Sequence, residues 1–471
     1  MKKITLFVVA TLIVMSGFSQ KRDYPTGLIF DNKSYDAMPR KARLTEKAYK
    51  SAPSSVSLKI YCPEIGDQGS NGTCVGWSTA WAMRTIIEAK QKNLTKTAEI
   101  NDLVFSPAFN YYFATDRENF SCSAGARLPE AINSMVDRGV PLLSDFSTPC
   151  TSEISPSVIE KAKKYKLKGA NRLFDTDATN DIKISSVKTA LSNGNPVVFG
   201  MAVPSSFFTA KGCWAPSPGE PPQGGHAICV VGYDDNKYRG AFEIMNSWGS
   251  SWGNDGFIWA KYEDFANYTK YAFEAYPETN TPQGVTIAGT VKLISNSGTE
   301  LQVVKNKELS VKGQTVIEEV GIGDYLLSNP LSSGSRYRLL ITANQSVYVY
   351  VVSSDLTNAV SQLFPVRSES AFLSYSANEV ALPSEKSWIQ LDNTVGKDFT
   401  CVIYSTKELD INSITGKIKS ASGSFVEKIQ GALAGGLIPR SNITLDPTKI
   451  KFDARADQKS VAAIIIEINH Q

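Results

Sequence analysis

Asp67-Gln68-Gly69-Ser70-Asn71-Gly72-Thr73-Cys74-Val75-Gly76-Trp77-Ser78 sets one cysteine straight after a glycine-rich turn and at the head of an apolar run. Downstream, Val75, Trp77, Ala80, Trp81, Met83, Ile86 and Ile87 make residues 75–90 apolar nearly all round, which reads as a central, buried helix. A thiol at a helix N-terminus meets the positive end of the helix dipole, which favours the thiolate. The turn holds that sulfur at a fixed point near the surface, with Gln68 six residues upstream. A lone cysteine is more often an inert core thiol, so the chemical reading needs a base.

The chain has two histidines, and one stands in Gly224-Gly225-His226-Ala227-Ile228-Cys229-Val230-Val231-Gly232-Tyr233. Ala227 to Tyr233 reads as a buried strand and Ala241 to Asn246 as the next, with Asp234-Asp235-Asn236-Lys237 as the turn between them. Facing residues of an antiparallel hairpin share one index sum. A tip near Asn236 pairs His226 with Asn246 at the open end. An imidazole there takes the thiol proton and later protonates a leaving amine. The Asn246 amide oxygen, accepting from the other ring nitrogen, fixes tautomer and ring plane. Gln68 and the Cys74 backbone N–H are suited to donate to the oxyanion, about 3 kcal/mol for one such donor. Taken singly, His226 reads as a core histidine, Asn246 as a strand-end residue and Gln68 as a solvated loop side chain. Their joint order and spacing around Cys74 favour catalysis.

This order resembles that of papain-like cysteine peptidases, most specifically in Asn246-Ser247-Trp248-Gly249-Ser250-Ser251-Trp252-Gly253 followed by Gly256-Phe257-Ile258. The resemblance covers about 61–278. It implies an α+β fold, with a helical lobe and a β-barrel-like lobe. It also implies Cys74 as nucleophile, His226 as base, Asn246 as its orienter and Gln68 in the oxyanion hole, with Trp248 shielding the His–Asn contact. His226 follows Cys74 at a distance close to the family's about 130–150 residues. Departures are plain. Asn71 stands where the family keeps a disulfide cysteine and Val75 where it keeps an aromatic; Ser121-Cys122-Ser123-Ala124-Gly125 resembles the site of that cysteine's usual partner, which leaves Cys122 without its family mate. The long inhibitory pro-region of the family is absent, and 20–60 is the segment left to serve. Gly224 and Gly225 leave an open cleft wall, and Pro196 to Met201 resembles the strand beside the apolar pocket. A hydrophobic residue on the acyl side of the cleaved bond is the expected preference.

The whole chain has 471 residues, 42% hydrophobic and 20% charged, with a formal charge of +3. That describes a globular chain of two or three domains and argues against a nucleic-acid or membrane-surface partner. No cofactor or metal is called for; the partner is a peptide or protein substrate. Residues 1–19 read as a secretory signal: Lys2 and Lys3, an apolar core from Ile4 to Met15, then Gly17 and Ser19. The apolar run is too short to span a membrane, and no later segment reads as an integral membrane segment. A periplasmic or secreted bacterial location follows. Seven cysteines, Cys62, Cys74, Cys122, Cys150, Cys213, Cys229 and Cys401, leave at least one unpaired. Spacing does not set connectivity; Cys122 with Cys150 is one expectation.

Residues 20–60 read as an extended arm, either a short pro-segment or a strap. Thr279 to Gly284 reads as a linker, with a β-rich segment through 335 and a β-rich C-terminal domain over 336–471. Its strand signals are Val285 to Ile294, Tyr337 to Ile341, Val347 to Val352, Phe399 to Tyr404 and Val461 to Ile468, with a helix over Phe425 to Ala434. Tyr337 to Ile411 resembles an uncharacterised domain appended to bacterial peptidases and envelope proteins, here read as sandwich-like with helical decoration. No activity follows from it, and its role is support or attachment to an unidentified envelope or surface partner. The leading function is an exported cysteine peptidase. The alternatives are a catalytically silent peptide-binding scaffold on the same fold and a cysteine transpeptidase.

Overall fold

A buried cysteine-headed helix and a twisted sheet form the first half of the protein, seen here as a computed structural model. It describes residues 24–50, 52–148, 150–278, 286–306, 323–355, 357, 359–366, 368–374 and 378–471. The signal segment 1–19 and the linker Thr279–Gly284 lie outside the described residues.

The helix runs as three contiguous pieces, Cys74–Gly76, Trp77–Arg84 and Thr85–Gln91, the middle one wound as a π-helix. It is buried on nearly every side, as its composition demands, although Trp77 and Trp81 keep partial exposure. A Cβ at Gly76 would come within 2.3 Å of the Pro107 carbonyl oxygen, so only glycine lets the helix Pro107–Ala114 pass this close.

Against this lobe stands a sheet in the order Leu167–Arg172, Thr269–Pro277, Val197–Pro204, Pro222–Asp234, Ala241–Met245, Phe257–Lys261 and Cys213–Trp214. Ser55–Ser57 adds to Pro222–Asp234, and one apolar core joins helices and sheet. The hairpin of the second and third motifs is present with a shifted register. Its pairs sum to 474 at Cys229↔Met245 and 475 at Tyr233↔Phe242, not to the expected 472. An irregularity between Val230 and Gly232 and a tight turn over Lys237–Arg239 move the tip towards Tyr238, whose φ is 54°.

Beyond residue 285 two sheets face each other across a second core. One has the path Val380–Leu382, Arg336–Ala343, Thr286–Ser295, Lys451–Arg455, Ile443–Leu445. The other has the path Val303–Lys305, Tyr325–Leu327, Val461–His470, Gly396–Ser405, Val347–Ser354, Val360–Phe364. Thr286–Ser295 is a central strand paired with Arg336–Ala343, so the break expected at 335/336 falls inside one sheet. Val347–Ser354 explains its unbroken apolar text: Val347, Val349 and Val351 enter the sandwich core. Tyr348, Tyr350 and Val352 enter a third core under the helices Ile411–Ser420 and Phe425–Leu433. Tyr276 of the first half joins that third core, its ring 4.6 Å from Phe372.

Candidate active site

Ser247 links Gln68 to Asn246 and so to His226, and the Cys74 thiol lies against the backbone N–H of Ala227, the residue after His226. His226 Nε2 lies 2.8 Å from Asn246 Oδ1. The same oxygen accepts from the Ser247 backbone N–H at 2.8 Å, which identifies that atom as oxygen. Nε2 must therefore carry the ring proton, leaving a lone pair on Nδ1. Nδ1 has no hydrogen-bond partner among the described residues. Trp248 stacks on the imidazole with ring centroids 4.3 Å apart. His226 is fully buried, and burial holds it down to about 4, with the Asn246 bond pulling back.

Gln68 is fixed with equal economy. Its Nε2 donates to two carbonyls, Asn71 at 2.8 Å and Pro25 at 3.1 Å, while Oε1 accepts from the Ser247 hydroxyl at 2.8 Å. Ser247 thus orients both the glutamine and the asparagine, a role that its place in the motif did not reveal.

Cys74 departs from the expectation of a near-surface thiolate. It is wholly buried, and burial pushes the thiol up to about 11. The backbone N–H groups of Ala227, Gly27, Val75 and Cys74 pull the other way without prevailing. The cover is the N-terminal arm itself. Tyr24 stacks on Trp248 at 4.8 Å, and the Pro25 carbonyl accepts from Gln68 and, at 3.3 Å, from the Trp248 indole N–H. Gly27 and Leu28 donate to the Gly225 carbonyl at 3.2 and 3.0 Å, Ala126 donates to Gly27 at 2.8 Å, and Ile29 donates to Ala126 at 2.9 Å. Glycine is required at both ends of this contact. A Cβ at Gly225 would lie 2.2 Å from the Leu28 oxygen, one at Gly224 2.6 Å from Thr26 Oγ1, and one at Gly27 1.9 Å from the Gly72 oxygen. The open wall expected at Gly224 and Gly225 is occupied by the arm. Leu28 is buried beside Gly200, where an added Cβ would lie 2.5 Å from Leu28 Cδ2 and 3.2 Å from Leu128 Cδ1.

Cys122 and Cys150 form a disulfide with Cα atoms 6.0 Å apart; the other five cysteines are free thiols. The C-terminal half holds one hydrogen-bonded chain unforeseen in the sequence: Ser333 Oγ lies 3.0 Å from His470 Nε2, and His470 Nδ1 lies 2.8 Å from Asp398. The backbone N–H groups of Ser333, Gly334 and Ser335 already donate to Gln471, Leu391 and Ser332. None is left for an oxyanion, and the chain of bonds clips the last strand to its neighbouring loop.

A cysteine at a helix head, a tautomer-fixed histidine and an asparagine beside it define a thiol-protease class of site. The model of the papain family of cysteine proteases matches residues 52–276, and that of a domain of unknown function (DUF4384) matches residues 331–408. An uncharacterised peptidase C1-like protein of Acanthamoeba polyphaga mimivirus is 33% identical over 222 residues, 45% of this chain and 68% of the relative. A cathepsin B-like protein of Giardia intestinalis is 26% identical over 203 residues, 42% of this chain and 63% of the relative. The chain thus spans about two thirds of the length of these relatives. Among solved structures, xylellain, a cysteine protease from Xylella fastidiosa, aligns at 22% identity over 55% of this chain and 98% of its own, with a TM-score of 0.44. The chain belongs to the papain family of cysteine proteases.

Proposed function

We propose that this protein is an exported, latent cysteine peptidase that hydrolyses peptide bonds through a thioester on Cys74. His226 Nδ1 takes the thiol proton, and the thiolate attacks the substrate carbonyl carbon. The oxyanion receives hydrogen bonds from Gln68 Nε2 and the Cys74 N–H. The imidazolium protonates the leaving amine; the imidazole then activates water against the thioester. Asn246 keeps the ring in the tautomer that this cycle needs. The observation that carries the reading is the Asn246 oxygen, pinned by the Ser247 N–H and facing His226 Nε2.

Residues 24–30 act as the inhibitory part of the pro-segment. Their direction supports this. Leu28 fills the pocket beside Gly200 and Tyr24 stacks on Trp248. A substrate with its acyl-side residue in that pocket runs the other way, so the arm covers Cys74 without presenting a bond in register. Leu28 also favours an apolar acyl-side residue in substrates. The peptidase unit is assigned to 61–278 and the support or attachment role to the C-terminal domain. The Cys122–Cys150 bridge suits an oxidising compartment, in keeping with export.

The test is peptide hydrolysis by the chain lacking residues 1–19, beside Cys74→Ala, after removal of the arm's cleft end. Thiol-directed epoxide on Cys74 and hydrolysis lost in Cys74→Ala are expected. No labelling, with identical behaviour of the two proteins, leaves a silent scaffold. Product captured by an added amine in preference to water identifies a transpeptidase.

A further inference from the structure

The N-terminal arm is held in two different ways along its length. Up to Ile29 it lies in the cleft on backbone hydrogen bonds, two side-chain bonds to the Pro25 carbonyl, one ring stack and the buried Leu28 side chain. From Asn32 onward it is built into the protein. The helix Asn32–Ala37 begins on the Asp31 carboxylate, which accepts from Ser34 N–H at 3.1 Å. Tyr35 is fully buried, stacks on Tyr271 at 4.3 Å and donates to the Phe174 carbonyl at 2.9 Å.

The following residues fill the seam between the two halves. Arg172, on the edge strand of the first sheet, donates its N–H to Pro39 at 2.9 Å and accepts from Lys41 N–H at 2.9 Å. On the other side Arg40 N–H donates to Ser368 at 2.6 Å, Ser370 N–H donates to Arg40 at 2.8 Å, and Thr45 N–H donates to Glu379 at 3.0 Å. Arg40 joins Asp175 of the first half to Glu369 of the second. Lys41 Nζ lies 2.5 Å from Glu274, a pair with side chains 4% and 0% exposed, and Ala42 belongs to the sandwich core. Pulling this segment out takes the cationic partner from the buried Glu274 carboxylate, leaving it only the neutral donors Tyr276 and Asn195, and bares two sheet edges. At the junction of the two regimes Phe30 is exposed, as are Asn32 and Lys33 in the first turn of the helix.

We propose that activation severs the arm between Phe30 and Asn32, ahead of the helix Asn32–Ala37, discards only the cleft end, and keeps residues from about 32 onward in the active enzyme as the seal between its two halves. This rests on the reading of 24–30 as the inhibitor. Once cut, the cleft end loses the tether that held it at high effective concentration, and it dissociates. The retained part is too well buried to follow.

Two full-length chains test it, each with an inserted recognition sequence for a site-specific endoprotease, between Phe30 and Asp31 in one and between Pro53 and Ser54 in the other. The rate of epoxide labelling at Cys74 is read before and after cutting, with the mass of every fragment that stays bound. Cutting after Phe30 is expected to raise the rate at least tenfold and release the upstream peptide. Cutting after Pro53 is expected to leave the rate within twofold and the arm bound through gel filtration. Loss of the whole arm after the second cut, with a fast label, overturns the proposal. So does a slow label after the first cut when Gly27→Ala in the uncut chain labels fast. If neither cut nor Gly27→Ala changes the rate, the inhibitor reading itself falls. A lowered melting temperature for Tyr35→Ala, with labelling still slow, is the independent sign of a retained structural segment; fast labelling in that variant counts against it.

Discussion

Gly27→Ala loosens the arm's hold on the cleft without altering a catalytic side chain. The new Cβ would stand 1.9 Å from the Gly72 carbonyl oxygen and 2.4 Å from its carbon, against a floor of 3.0 Å for real contacts. Gly72 cannot retreat freely, because its N–H donates to the Cys122 carbonyl at 2.8 Å and Cys122 is bridged to Cys150. The arm has to lift by roughly 1 Å or more, the gap between that contact and the usual limit. Such a shift breaks the bonds Gly27 N–H to Gly225, Leu28 N–H to Gly225 and Ala126 N–H to Gly27. At a net value of about 1 kcal/mol each, closure weakens by about 3 kcal/mol, roughly a hundredfold in the open-to-closed ratio. The assay is the second-order rate of epoxide labelling at Cys74, followed by mass spectrometry of its peptide. While the open form is rare, this rate scales with the open fraction. A rate within twofold of the unaltered protein, with the same melting curve, refutes the idea that the arm's backbone seat controls access.

Acid should loosen the same contact. His226 sits near 4 in the closed cleft against an ordinary 6.5, so between those values the open form binds more protons and gains on the closed one as pH falls. The ceiling is about 3 kcal/mol, reached near pH 4 if opening fully rehydrates the ring. Above pH 9 the buried Cys74 thiol works in the same sense. Amide exchange at Gly27 to Ile29, corrected for intrinsic rates, should be slowest between about pH 6.5 and 9; a flat profile speaks against the coupling. Gln68→Ala in the chain freed of its cleft end should lower kcat by about 10²–10³ with little change in KM. Asn246→Ala should lower kcat by about 10² through loss of ring orientation, and an unchanged kcat would remove its assigned role. Cys122→Ala with Cys150→Ala removes a cross-link spanning 28 residues and should cost about 3–4 kcal/mol in chemical denaturation; a loss under about 1 kcal/mol would show the bridge to be dispensable.

The sequence disclosed most where one periodicity dominated. The cysteine-headed helix was legible because its apolar residues leave no polar face. The C-terminal strands were legible because β-branched and aromatic residues are dense there. The helix Ile411–Ser420 escaped notice although Ile411, Ile414, Thr415 and Ile418 recur at helical spacing and Asp410 caps it. The proximity of His226 and Asn246 was legible, but their register was not, since a bulge and a positive-φ turn leave little trace in side-chain chemistry. Least legible was the arm. Tyr24-Pro25-Thr26-Gly27-Leu28 has no periodicity, and its backbone bonds can be made by almost any residue. Gly27 is the residue there whose backbone contact admits no side chain. The thiolate expectation failed for the same reason, because the cover that buries Cys74 comes from a segment 47 positions away.

Asn71 stands where the papain-like pattern has a disulfide cysteine, and on the proposed reading the bonds that steady the Cys74 loop in its place also serve latency. The Gln68 side chain donates to the Asn71 carbonyl, and Gly72 N–H donates to Cys122, which is tied to Cys150 rather than to the loop. The brace is therefore made of hydrogen bonds backed by a disulfide one step removed. The groups that brace the loop also seat the arm: Gly72 meets Gly27, and the Gln68 amide that holds Asn71 also holds the Pro25 carbonyl. While the arm is seated, Gln68 Nε2 has both of its protons engaged by carbonyls, and the thiol and imidazole are both driven to their neutral forms by burial. Departure of Pro25 would free one amide proton and admit water to the sulfur and the ring, while the bond to Asn71 would keep the side chain aimed. On the proposed reading the occupied cleft differs from the working one by the removal of a peptide, with the donors left in place, which is the preorganisation that an oxyanion site requires.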